Sequence, residues 1–455
     1  MSMLSQIGYT GLQSSQMAMT STGQNIANVN TPGFSRIAPT MVSLAGQSGL
    51  SAGGGVQINS IRRLSSDFQN QQLWRSNTEM NMHSSAQQYL GALESLMSGD
   101  GSSISIGLDQ FYASLSELTV SPESIALRQQ VISEAGNLSH RFNGLSGSID
   151  AQVRAVQEQR EAMVTEMNGL VGNIAQINRR IVEAQGVGDD TNALRDHRET
   201  LVGELSQFAS VRVHEVPDGS LTVSLSNGQP LVAGSTASTV QVERLATGEQ
   251  QLVLTFGKST FPIAQDRLGG GLGGLSKVEY ESLRPALASL HSIASELAGA
   301  TNAALATGFD LNGNPGQPLF AYDAASITGL LKTTGIGAAE LGLSAVDNEV
   351  GNNEVLLDLL ALRSRTVTIG GNQMTLNDAY AGMLGQVASD SRQNQADLRS
   401  ATTVREQAQA QRDSISAVNL DEEAVNLMTY QQAYQANMKV ITTANQLFND
   451  LMAAF

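Results

Sequence analysis

NLDEEAVNLMTYQQAYQANMKVITTANQLFNDLMAAF runs from Asn419 to Phe455, and within it Leu427, Tyr434, Ile441, Phe448 and Phe455 recur at seven-residue intervals. Met438 and Met452 each fall four places after a member of that series. The spacing predicts a helix with one apolar seam, and such a seam needs a partner helix. Asn419 is a suitable cap with Glu422 three residues on, and Asp421, Glu422 and Glu423 complement the positive end of the helix dipole. Beyond Glu423 only Lys439 and Asp450 carry charge, so the remaining face is Gln, Asn, Thr and Ala. A helix this poor in charge is expected to be packed on several sides.

The opposite end of the chain has the same character. Residues 1–35 contain no charged side chain, Arg36 being the first. Leu12, Met19 and Ile26 repeat every seven residues beside Gly8, Gly11, Ser15, Ala18 and Thr22, which predicts a helix whose contact face is mostly small. Solvated helix faces normally carry charge, so burial in a larger assembly is expected in preference to an ordinary amphipathic helix. The helix should end near Val29, because Pro32 disfavours helical geometry at Thr31 and Pro32-Gly33 is a turn signal. Asn25, Asn28 and Asn30 can bond the backbone groups released there. Met41, Val42, Leu44, the glycines 53–55, Val56, Ile58 and Ile61 suggest extended chain around a loop.

QNIANVNTPGF (Gln24 to Phe34) together with NLDEEAVNL and YQQAYQANMKVITTANQLF (Asn419 to Phe448) resembles the two terminal signatures of the bacterial flagellar axial proteins, the rod, hook and hook-associated subunits. The form NLDEEAVNL before YQQAYQA is most similar to the hook-associated subunits of the hook–filament junction. The resemblance implies terminal-helix packing by Leu12, Met19, Ile26, Leu427, Tyr434, Ile441 and Phe448, and a turn built on Asn28, Thr31, Pro32 and Gly33.

The middle of the chain reads as mainly α. Between Ser121 and Gln185 apolar residues hold a three-four spacing with Arg160 at the one polar seam position, which predicts a rod on the order of 90 Å capped by Ser121. Gly136, Gly144, Gly147, Gly169 and Gly172 argue against an unbroken helix, at about 1 kcal/mol each relative to Ala. Further helices are expected at 64–97, 193–209, 283–305 and 376–415, making a bundle of long antiparallel helices. From Val211 to Leu268 the pattern switches to period two, with turn signals at Pro217-Asp218-Gly219 and Asn227-Gly228. A small antiparallel β domain is therefore expected, closed off by a linker at Gly269–Gly274. The expected organisation is 1–63 and 417–455 as the two parts of a terminal-helix domain pairing as a coiled coil, 64–209 and 275–416 as the two parts of the bundle, and 210–274 as the inserted β domain. Within the resembled group, rod and hook subunits have largely β middles and flagellin lacks the TPGF turn, so the helical middle favours the junction subunits.

Composition narrows the function. Charged residues are 15% of the 455, against about 25% in ordinary soluble proteins, and the net charge is −16. No basic stripe exists to meet nucleic acid or an anionic membrane surface. Cysteine is absent, which excludes disulfides, thiolate metal sites and a Cys nucleophile. The first residues lack a basic n-region and an apolar run of signal-peptide length, and no stretch approaches the roughly 20 apolar residues of a membrane span. The histidines at 83, 140, 197, 214 and 291 are scattered, with Asp196-His197 an adjacent acid and imidazole. Asp310-Leu-Asn312-Gly-Asn314 begins like a calcium loop but has Pro315 and Ala321 where Gly and Glu are needed. No cofactor, metal site or catalytic group is expected. The reading is a structural flagellar subunit that self-assembles through its terminal helices, the alternatives being a hook- or filament-type axial subunit, or a secreted coiled-coil stalk protein or enzyme. The resemblance further implies a homo-oligomeric ring, contacts with hook protein and with hook-associated protein 3, a dedicated export chaperone on the C-terminal helix, and an extracellular location reached by type III export without a cleaved signal peptide.

Overall fold

A computed structural model describes residues 3–45, 53–326 and 328–454; Phe455, the last member of the C-terminal repeat, lies outside them. Helix α1 (Met3–Ala27) is followed by strands β1 (Ile37–Leu44) and β2 (Gly55–Arg63), an antiparallel hairpin with a bulge at Thr40/Met41. Helices α2 (Asp67–Ser98) and α3 (Ile104–Leu118) are capped by Ser66 and Ser103, and α3 was not anticipated from the pattern. Helix α4 (Ile125–Val187) is 63 residues long without a break, hence about 95 Å. Its cap is Ser124 and not Ser121, because residues 118–124 pass through successive turns and the Pro122 carbonyl is taken by Arg128 Nε at 2.5 Å. The five rod glycines open on empty space, while Val131, Ala135, Leu138, Phe142 and Ile149 on the opposite face are buried. Burial of that face outweighs the propensity cost of the glycines.

Helix α5 (Asn192–Phe208) leads into the β module. Strands β3 (Val211–Glu215), β4 (Leu221–Leu225), β5 (Pro230–Ala233) and β6 (Thr236–Ala237) form one antiparallel sheet; β7 (Thr239–Arg244), β8 (Gln250–Phe256) and β9 (Ser259–Ile263) form another. The expected turns are present, with Gly219 and Gly228 at φ +80° and +90°. The inward residues Val223, Leu225, Val232, Leu252 and Leu254 share a core with Val164 to Ile181 of α4 and with Leu201 and Leu205 of α5. The first half of α4, Val131 to Val156, belongs to a separate bundle core. The rod is thus common to both cores, and the β module is built on its distal half.

The glycine run 269–274 is not a linker. It begins helix α6 (Gly270–Val278), which is buried against α2 and α5. Gly270 has φ +58°, and a Cβ there would stand 2.5 Å from the Phe208 backbone; at Gly274 it would stand 2.1 Å from the Met82 carbonyl oxygen. Glycine is required by close helix approach, which in sequence looks the same as a flexible tether. A single π turn, Glu279–Leu283, follows. Its Glu279, fully buried, accepts from Arg160 at 2.5 Å and from Arg284 at 2.7 Å. Arg160 also donates to Gln250 of β8 at 2.8 Å. The polar position on the rod therefore has its partners from the β module and from the segment that leaves it.

Helix α7 (Arg284–Leu305), the small hairpins β10 (Phe320–Tyr322) with β11 (Leu331–Thr333) and β12 (Val367–Ile369) with β13 (Asn372–Met374), and helix α8 (Glu354–Ala361) between them complete the bundle core. Both hairpins and α8 are too short to give a readable period. Helix α9 (Leu376–Ser416) runs antiparallel along α2, as the bonds from Tyr380 to the Met97 carbonyl, from His83 to Asn394 and from Arg405 to Asn77 show. Helix α10 (Leu420–Ala453), capped by Asn419, returns along α1.

Two glycine substitutions separate the roles. Gly274→Ala should lower stability by about 1–3 kcal/mol through overpacking against Met82, whereas Gly172→Ala on the open face of α4 should raise it by up to about 1 kcal/mol. Urea titration of both variants reads the two signs.

Candidate assembly surface

The stem consists of α1, the β1–β2 hairpin and α10. Gly8, Gly11, Ser15, Ala18, Thr22 and Asn25 are buried along α1 and form its seam. Facing them, Glu423, Asn426, Tyr430, Ala433, Asn437, Val440 and Ala444 turn inward on α10, of which Glu423 and Ala444 are buried. The helices are antiparallel: Asn25 meets Glu423, while a Cβ at Gly8 would lie 2.9 Å from Ile441 Cγ1 and one at Gly11 2.5 Å from Asn437 Oδ1. Small residues occupy the line of closest approach because the backbones come too near for larger ones.

The large apolar residues stand one position aside. Leu12, Met19 and Ile26 are half-buried on the flank of α1, and Tyr434 and Ile441 are half-buried on α10. Leu427 is 37% exposed and Phe448 53%. Val425, Met428, Met438, Leu447, Leu451 and Met452 are exposed with them, and on α1 so are Met3, Leu4, Tyr9 and Met17. From residue 445 to residue 453 every side chain of α10 is exposed. The seven-residue repeat of large residues therefore describes a ridge beside the α1–α10 seam, and α1 covers it only in part.

A polar node fixes the base of the stem. Asn25, 1% exposed, donates to the Ile37 carbonyl at 2.9 Å and to Glu423 at 3.1 Å, and accepts from the Ile37 amide at 2.9 Å. Arg36 pairs with Glu422 at 2.5 Å, and its amide donates to the Ser416 carbonyl at 2.8 Å. Beside it, Arg63 binds Asp196 at 2.7 Å and also pairs with Glu199, Asn70 donates to Glu199, and the Ser35 amide donates to Asp196. Burial alone would lower the Arg63 pKa, but Glu199 and Asp196 outweigh it and hold the guanidinium above its ordinary value. Sequence reading placed Asn25 at the helix end and Glu423 on the helix dipole; both are buried partners across the chain. The available signal was the pairing of the first charge, Arg36, with the carboxylate triplet 421–423.

The turn motif has a local logic. Asn28 donates to the Gln24 carbonyl at 2.9 Å, and Thr31 donates to Asn28 through its amide at 2.9 Å and its hydroxyl at 3.2 Å. Gly33 has φ +80°, and a Cβ there would meet Thr200 Oγ1 at 2.2 Å, so both conformation and contact require glycine. Pro32 is exposed at the rim of a cleft of about 450 Å³ between the turn and the start of α5, lined also by Phe34, Ile37, Ala193 and His197.

The candidate chemical groups resolve into structure. Asp196 is buried on Arg63 and Ser35 while its neighbour His197 is exposed. Asp310 closes its own loop, accepting from the amides of Asn312 at 2.7 Å and Asn314 at 2.8 Å. Burial would raise that carboxyl, but these donors prevail and hold it below the usual carboxylate range. Among the described residues no group of three or more His, Asp or Glu side chains is placed to hold a metal ion.

A family profile described as the flagellar hook-associated protein FlgK helical domain matches residues 90–320, and one described as the flagellar basal body rod FlgEFG protein C-terminal matches residues 409–454. Flagellar hook-associated protein 1 of Escherichia coli strain K12 is 26% identical over an alignment covering 99% of this chain and all of that protein. The protein of the same name from Bacillus subtilis strain 168 is 24% identical, with 97% and 96% covered. The structure of the flagellar hook junction protein FlgK from Burkholderia pseudomallei is similar at TM-score 0.68 and 17% identity, over 75% of this chain and 99% of that one.

Replacing Asn25 with Ala leaves the Ile37 amide and carbonyl unpaired in a buried site, at about 1–3 kcal/mol for each group left unsatisfied. Amide hydrogen exchange should accelerate at Ile37 and through the first turns of α10, with residues 131–156 of the rod unchanged.

Proposed function

The chain belongs to the flagellar hook-associated protein FlgK family, and from that premise we propose that it joins its neighbours through the stem, with Leu12, Met19, Ile26, Leu427, Tyr434, Ile441 and Phe448 as the interface and Asn28, Thr31, Pro32 and Gly33 setting the angle between stem and bundle. The protein is a structural subunit of the bacterial flagellum at the junction of hook and filament, part of the external organelle. The observation that carries the interface is the row of large apolar residues on α10 that α1 leaves uncovered. Fully burying each against a neighbour is worth about 1.5–3 kcal/mol, more than exposed ion pairs supply. An interface between unlike faces of identical chains closes into a ring or continues as a helix.

Copies of the same chain flank each subunit, hook protein lies on one side and hook-associated protein 3 on the other. Before assembly the α10 ridge is held by an export chaperone, and the chain leaves the cell by type III export. No helix of the described residues is long and apolar enough to cross a membrane. The role is packing and not catalysis, since the polar clusters are spent on holding elements together.

Ile441→Asp tests the interface by placing a carboxylate on the ridge beside Gly8, where an assembled neighbour would desolvate it. The expected outcome is at least tenfold less incorporation, on the order of 1.4 kcal/mol or more, with the melting of the bundle unchanged. Wild-type incorporation by this variant contradicts the interface.

A further inference from the structure

The chain has 15 methionines and no cysteine. Among the described residues six methionines are exposed, Met3, Met17, Met41, Met428, Met438 and Met452, at 41–55%. All six belong to the stem. The seven methionines of the bundle and β module are buried or half-buried, with Met97 and Met167 at 0% and 1%. The thioethers most open to solvent are thus confined to the surface assigned to assembly, and no thiol competes with them for an oxidant.

We propose that these stem methionines are an oxidation-sensitive site that controls whether the free subunit can assemble. A peroxide transfers one oxygen atom to the thioether: the sulfur is oxidised by two electrons to the sulfoxide, and hydrogen peroxide is reduced to water. The product is polar and accepts hydrogen bonds, so a side chain that favours an apolar contact becomes one that resists desolvation. Met438 follows Tyr434 and Met452 follows Phe448 by one turn, so these two lie on the α10 ridge itself, while Met428, next to Leu427, is exposed about 100° further round the same helix. Assembly covers the same thioethers and protects them. Oxidation and incorporation are therefore mutually exclusive fates of the exported chain, and a methionine sulfoxide reductase supplied with a dithiol reverses the first, the sulfoxide oxygen leaving as water and the dithiol becoming a disulfide.

The inference rests on the stem being the assembly surface, which Ile441→Asp tests without any oxidant. The full-length protein is treated with dilute hydrogen peroxide and mapped by peptide mass spectrometry, then assayed for incorporation at hook ends. Sulfoxide is expected first at 3, 17, 41, 428, 438 and 452, with roughly tenfold or greater loss of incorporation, as expected for a newly polar group forced into an apolar contact. Treatment with methionine sulfoxide reductase should restore it. A variant carrying Met428→Leu, Met438→Leu and Met452→Leu, compared with its own untreated sample, should lose much less to peroxide. Oxidation of the bundle methionines at the same rate, or undiminished incorporation of stem-oxidised protein, overturns the proposal. If Ile441→Asp incorporates normally while peroxide still blocks incorporation, the assembly surface has been misplaced and oxidation acts elsewhere.

Discussion

The close antiparallel contact of α1 with α10 is the constraint on which the stem depends. Gly8 and Gly11 let Asn437, Val440 and Ile441 approach to distances that no side chain at those positions would allow. Because small residues take the line of closest approach, large ones are displaced to its flank and point outward. Pairing of the two ends thus creates the uncovered apolar ridge. A pair built on large seam residues would have buried them internally and left little surface for a neighbour. At the base of the pair, Asn25 and Glu423 replace the seam with hydrogen bonds that also hold the Ile37 backbone, so the direction of the stem is set where it enters the bundle.

Away from the stem, α4 organises the remainder. Its first half lies in the bundle core and its second half in the β-module core. Between them sits Arg160, bonded to Glu279 in the π turn and to Gln250 in the β module. Replacing one member of such a buried pair leaves an uncompensated charge, costing about 3–5 kcal/mol, while the pair as a whole adds less to stability than to specificity of arrangement. The two cores are accordingly fixed to one rod.

Periodicity made much of this legible. The rod, the helices 64–97, 193–209, 283–305 and 376–415, and the strands of 211–268 were readable because long elements repeat their pattern many times. Features that depend on a partner distant in sequence were not. The run Gly269–Gly274 looks like a tether until Met82 is seen 2.1 Å from where a side chain would begin. Ser121 reads as the cap of the rod in sequence, but Ser124 takes that place, and the Pro122 carbonyl is captured by Arg128 instead. In the stem the repeat of Leu427, Tyr434, Ile441 and Phe448 identified the helix and its apolar side, but the register one position away, where Ala433, Asn437 and Ala444 face α1, is set by approach distance and not by hydrophobicity. The short elements α3, α8 and the hairpins at 320–333 and 367–374 offered too few residues for any period.

The absence of native cysteine makes one measurement especially direct. Phe448→Cys and Ala444→Cys place single thiols on the ridge and in the seam, four residues apart. In the free subunit the thiol at 448 should react rapidly with a soluble maleimide and the one at 444 slowly; after incorporation at the hook both should be slow. Rapid labelling at 448 in the assembled junction would contradict the account, because the ridge left bare by α1 would then be covered by nothing.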